Sequence, residues 1–223
     1  MKTTTHKIII ITITVFFIVT SVTALFFMPD TVPVHWGANG DADRFGKKYE
    51  SLLAPLMAVI ICIGMLFSAK YGTNNKENKN DNEKLLYIVC ECLLSILFVM
   101  NIYVLYAMIN NIQNLYTMKI DIGKLTLVLF GLLMVISGNF MPKAKKNPYI
   151  GFRTPTTMKN DDVWKKSQRF AGISFIAGGF VNIIASIFLT GVSCLFVLMA
   201  VILVVITSGL IYTSKFKDKD KDK

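Results

Sequence analysis

The chain has 223 residues, of which 53% are hydrophobic and only 17% charged, and it carries a formal net charge of +10. So little charge cannot cover the surface of a water-soluble domain of this size, which excludes an ordinary soluble enzyme or binding module. A bilayer core is about 30 Å thick, so a spanning helix needs about 20 apolar residues.

Six stretches meet that requirement: Ile8–Phe27, Leu52–Ala69, Leu85–Ile109, Leu125–Met141, Phe170–Leu189 and Ser193–Tyr212. The first follows a short basic start (Lys2, Lys7) and resembles a signal peptide in that respect. Its apolar run is too long for a signal core, and no small-x-small cleavage site follows it, so it is expected to stay as an anchor.

The loop Met28–Ser51 comes next. Pro29 and Pro33 forbid a regular helix at its start. Val32–Trp36 suits a short extended piece, and Asn39-Gly40 is a tight-turn signal. Its turn chemistry predicts an ordered loop whose aromatics, Trp36 and Phe45, lie at headgroup level. His35 stands beside Asp41 and Asp43, but their spacing matches no strong metal motif, and a hydrogen bond within the loop is the expected role of His35.

Lys70–Lys84 is polar and low in complexity, and reads as a flexible connector. Glu91 then lies inside the third span, where a carboxylate is costly and marks a functional hypothesis. An interhelical hydrogen bond or a snorkelled contact is the simplest use, with Lys84 or Lys143 as partners. Asn101 and Asn182 read as hydrogen-bonding links between helices, and Asn139 as a support for the loop that follows it.

That loop is polar and basic. Pro148, Gly151 and Pro155 break its first part into irregular backbone. Asn160 then suits a helix cap, with Asp161 and Asp162 in the favoured first turn and each one turn ahead of Lys165 and Lys166. A short helix lying along the membrane, with Trp164 at the interface, is predicted to lead into the fifth span. Thr190–Val192 is only a turn, and the tail from Lys215 alternates Lys and Asp.

Positive charge sets the orientation. One side of this six-span plan carries 19 Lys and Arg residues and the other 5. Short cytoplasmic loops hold the excess, so both termini and the 138–172 region are expected inside the cell. Topology signalling and anionic lipid account for the positive charge without a nucleic-acid partner. The four cysteines, Cys62, Cys90, Cys92 and Cys194, all fall in apolar spans and read as buried small hydrophobes. No catalytic constellation, metal site or cofactor is expected.

One set of motifs is specific. Gly138-Asn139, Pro142-Lys143, Asn147-Pro148-Tyr149-x-Gly151-x-Arg153-Thr154-Pro155-x-Thr157, Val163-Trp164, Arg169 and Gly172 resemble the signature of the SdpI family. Those are bacterial membrane proteins named for immunity to a secreted toxic peptide. Thr156 and Ser167-Gln168 depart from the family pattern, so the helical part of the loop is expected to contact something different. The external run Pro33-x-His35-Trp36 through Gly40 to Asp43 is similar to a domain of unknown function often fused ahead of that signature.

The apolar spans, the charge count and the turn and cap signals together predict an all-α plasma-membrane protein with six transmembrane helices, cytoplasmic termini, an ordered external loop and a short cytoplasmic interfacial helix, and the resemblance fits that plan. Its units are a two-helix part (1–69), a linker (70–84), an SdpI-like bundle (85–213) with its signature loop at 138–172, and a charged tail (214–223). The resemblance also implies immunity to a secreted antimicrobial peptide, with His35, Trp36, Asn39 and Asp43 facing the toxin. A cytoplasmic repressor is the second implied partner. It would dock on Asn147, Tyr149, Gly151, Arg153, Thr154, Pro155, Thr157, Trp164 and Arg169. The alternative reading is a small transporter of peptide or ion, with Glu91 on its pathway.

Overall fold

The computed structural model describes residues 3–71, 79–147 and 150–216. Six of its helices are long and apolar enough to cross a membrane. In chain order they are α1 (Thr3–Ala24), α2 (Leu53–Tyr71), α3 (Lys79–Ile109), α4 (Ile122–Phe140), α6 (Asp161–Phe188) and α7 (Val192–Ser214). A one-turn helix, α5 (Pro155–Lys159), precedes α6. The outward faces of α1, α2, α6 and α7 carry exposed Ile8, Phe16, Ile63, Phe67, Phe188 and Phe196. Apolar surface on that scale belongs in lipid rather than water.

The loop between α1 and α2 is a β-hairpin. β1 (Thr31–Trp36) pairs antiparallel with β2 (Ala42–Lys47), in register from Thr31↔Lys47 to Pro33↔Phe45, and a bulge then shifts the pairing to His35↔Arg44 and Trp36↔Ala42. The predicted extended piece is therefore half of a ribbon. Its second strand, Ala-Asp-Arg-Phe-Gly-Lys, is mostly exposed and lacks an apolar face to announce it.

α1, α2 and α3 share a core of Ile10, Phe17, Ala58, Cys62, Leu86, Tyr87, Cys90 and Leu94. α4, α6 and α7 form a second bundle, with Leu127, Cys194 and Leu198 buried among them. Its tightest seam joins α4 to α6. A Cβ placed on Gly138 would sit 2.6 Å from the Gly172 carbonyl oxygen, and one on Gly179 would sit 2.5 Å from that of Gly131. Only glycine permits such an approach, the usual basis of tight helix association in lipid. Between the bundles lies an apolar cavity of about 280 Å³, lined by Val89 and Leu93 of α3, Met134 and Ser137 of α4, and Phe175 of α6.

Two expectations change. The charged run from Asp161 to Arg169 is not a separate interfacial helix but the first turns of α6, which continues unbroken to Phe188. Helical backbone carries the chain straight on, because nothing between Lys165 and Ala171 breaks it. The connector is also shorter than read, since α2 reaches Tyr71 and α3 starts at Lys79. Residues 72–78 between them, and the tail from 217, lie outside the described residues.

Candidate functional site

The helices bring chemistry together at two opposite ends. At the first, the hairpin is held by the loop that joins α3 to α4. Leu115 donates its amide to the Gly40 carbonyl at 2.9 Å, and Ala42 donates to that of Gln113 at 2.7 Å. Asn114 Nδ2 donates to Asp41 Oδ1 at 2.6 Å, and the Tyr116 hydroxyl to the Ala38 carbonyl at 2.7 Å. Gly40 adopts φ +82°, with the Tyr116 ring where a Cβ would stand. An isolated two-stranded hairpin is marginal in water, so these contacts explain its order. Burial, with help from the Asp121 carboxylate and Cys194, raises the Tyr116 phenol above its ordinary pKa of 10.0. Asp121 in turn caps α4 through the Lys124 amide and accepts the Gly191 amide at 3.0 Å, drawing the last turn of the chain into the same assembly.

The four residues expected to face a toxin behave differently from one another. His35 Nδ1 lies 2.5 Å from Asp43 Oδ1, and both side chains are exposed. Asn39 Nδ2 donates to Asp41 Oδ2 at 2.6 Å on the exposed turn. Trp36 is half-buried and donates from Nε1 to the Ile112 carbonyl at 3.1 Å, so it anchors the hairpin. Among the described residues no group of three or more His, Cys, Asp or Glu could hold a metal ion.

At the other end the signature loop folds onto α6. Gln168 is fully buried; its Oε1 accepts the Phe152 amide and its Nε2 donates to the Phe152 carbonyl, both at 2.9 Å. Gly151 has φ +104°, and a Cβ there would meet Gln168 Oε1 at 2.6 Å. The Phe152 ring lies over Gly209 of α7. Thr154 and Thr157 form a reciprocal cap on α5, with Pro155 as its first residue. Asn160 caps α6 by accepting the Asp162 amide at 2.8 Å, as its position predicts.

Most of the expected docking residues are therefore spent on the loop itself. Asn147 is buried, donating to the Lys145 carbonyl and accepting the Ile150 amide. Thr157 is buried inside the cap. Trp164 is packed inside the protein; it is 2% exposed and donates from Nε1 to the Ala144 carbonyl at 2.8 Å. Asp161 pairs with Lys146 at 2.5 Å across the loop, rather than with Lys165 along its own helix. Arg153, Pro155 and Arg169 are exposed. Neither arginine forms an ion pair among the described residues. Tyr149 lies outside the described residues.

The intramembrane polar residues mostly link helices. Asn101 donates to Ser21 Oγ at 3.0 Å, joining α3 to α1. Asn182 is buried against Met134 Sδ at 3.4 Å, joining α6 to α4, with its Oδ1 left unpaired. Asn139 is exposed and, among the described residues, makes no side-chain hydrogen bond to the loop it was expected to support; its position on α4 turns it outward. Glu91 pairs with neither Lys84 nor Lys143. Its partner is His6, at 2.8 Å, which is buried within α1.

Gln168, His6, Asn114 and Tyr116 were not singled out from the sequence as site residues. Only Glu91 offered a signal, since a buried carboxylate demands a partner.

The chain's likenesses fit this two-ended layout. Residues 143–213 match the SdpI/YfhL protein family, and residues 12–59 match DUF1648, a domain of unknown function. The "Immunity protein SdpI" of Bacillus subtilis (strain 168) is 26% identical over 191 residues, covering 86% of each chain. No solved structure matches. The six spans and this relationship make the chain a multi-pass protein of the plasma membrane. One chain thus joins a stretch that matches the SdpI/YfhL family, residues 143–213, to one that matches DUF1648, residues 12–59.

Proposed function

We propose that the protein confers immunity to a secreted antimicrobial peptide, which it meets outside the cell at the hairpin end. The observation that carries this reading is the likeness to an immunity protein across 86% of both chains, hairpin and signature loop included. The exposed hairpin tip, with His35, Asn39 and Asp43, gives the peptide a polar surface on a rigid mount. The test is direct. Sensitive cells with and without the protein are exposed to supernatant from a sibling culture. Protection is expected only with the protein; equal killing overturns the reading.

Capture of a cytoplasmic repressor is the second half of the proposal. Arg153, Lys159 and Arg169 are exposed on the signature-loop end, where guanidinium groups suit an acidic partner surface. Replacing all three with Gln should abolish co-purification of the repressor while leaving membrane insertion intact.

The buried His6–Glu91 pair favours one alternative, a proton-coupled transporter. In that case Glu91→Gln and collapse of the proton gradient each abolish function. The immunity reading predicts protection in both conditions, in proportion to the protein present.

A further inference from the structure

Four lysines surround one cavity at the signature-loop end. It measures about 560 Å³ and opens between the segment after α4 and the first turns of α6. Lys143, Lys145, Lys146 and Lys165 line it, with Asp161 and Trp164. The carboxylate of Asp161 is taken by Lys146. No carboxylate among the described residues forms an ion pair with Lys143, Lys145 or Lys165. Lys143 Nζ instead lies over the Phe140 ring, 4.7 Å from its centroid, and Lys145 and Lys165 are exposed. The amino end of a 28-residue helix adds its own positive field beside them.

We propose that this cavity holds the phosphate of an anionic phospholipid headgroup. Three ammonium groups that form no ion pair among the described residues, set around one cavity, are a counterpart to a phosphodiester. Location argues for a lipid over a soluble anion. Phe140 closes the apolar run of α4, so the cavity begins where that span leaves the hydrocarbon. The cavity wall is built on the buried Trp164 indole, packed with Leu85 and Ala144, and this fixes the lysine-bearing backbone. Basic pockets at the ends of transmembrane helices have this character. The site does not depend on what the hairpin end binds, only on a headgroup layer at this end of the bundle.

Native mass spectrometry of the purified full-length protein tests it, with phosphatidylglycerol and phosphatidylcholine offered together. The wild type should retain phosphatidylglycerol preferentially. Lys143→Gln/Lys145→Gln/Lys165→Gln should lose the preference, by roughly fivefold for each lysine. Lys47→Gln/Lys119→Gln/Lys124→Gln removes the same charge at the other end and should keep it. Should the first triple variant fail to fold, Lys145→Gln alone is read in its place. Equal loss in both triple variants, or no preference in the wild type, overturns the proposal. So does displacement by millimolar inorganic phosphate, which assigns the cavity to a free anion. Displacement by an acidic peptide overturns it too, in favour of a protein partner.

Discussion

His6 Nδ1 stands 2.8 Å from Glu91 Oε1, joining the first turns of α1 to α3 across 85 positions of sequence. The side chains are 6% and 17% exposed, and the Tyr87 ring stacks against His6. Removing either partner strands a polar group in apolar surroundings, at a cost of about 1–3 kcal/mol. We expect His6→Ala and Glu91→Ala each to lower the unfolding temperature in detergent. The double variant should lose less than the two together, with a coupling of about 0.5–3 kcal/mol. Strict additivity would show that the contact contributes nothing.

Gln168 makes a sharper case. Its amide satisfies both the donor and the acceptor of Phe152, and Phe152 in turn lies on α7 at Gly209. Gln168→Ala leaves the Phe152 amide without its acceptor, and leaves the carbonyl only the Thr157 hydroxyl at 3.3 Å; it should cost about 1–3 kcal/mol. Proteolysis between 150 and 160 should accelerate with it. Gln168→Glu keeps the acceptor but loses the donor, so its loop should be cut at an intermediate rate. An unchanged rate in Gln168→Ala would mean that Asn147 and the α5 cap hold the loop unaided.

The α4–α6 seam predicts a steric result. A side chain at Gly138 or Gly179 must drive the helices apart, because the nearest atoms are backbone oxygens. Overpacking of this kind costs about 1–3 kcal/mol or more. Gly138→Val and Gly179→Val should reduce accumulation in membranes, whereas Gly64→Val, with open space around it, should not. Wild-type accumulation of Gly138→Val would refute the close approach.

Orientation can be read by chemistry. Ala38 sits exposed on the hairpin turn and Lys159 is exposed at the end of α5. A membrane-impermeant thiol reagent applied to intact cells should label Ala38→Cys and spare Lys159→Cys. Inverted vesicles should give the reverse. Labelling of Lys159→Cys from outside would reverse the positions of the hairpin and the signature loop and remove the basis for repressor capture. Thr157 is unsuited to this role, because it is buried in the α5 cap.

Local signals in the sequence were readable where local chemistry decides. The six apolar runs, the cap at Asn160, the turn at Asn39-Gly40 and the extended run before it all follow from neighbouring residues. β2 was not readable, since its polar residues show no buried face and it forms only by pairing with β1. The long-range contacts were hidden for the same reason. Nothing near Glu91 names His6, and nothing near Asp41 names Asn114. The burial of Trp164 was not readable, because an indole beside charged residues looks exposed to headgroups, whereas here the Ala144 carbonyl satisfies its N–H and permits burial.

The glycine seam has a mechanical consequence. Helices whose backbones touch cannot slide without collision, so α4 and α6 are geared to move as one piece. Asp121, which caps α4 and accepts the Gly191 amide at 3.0 Å, ties the turn between α6 and α7 to that same piece.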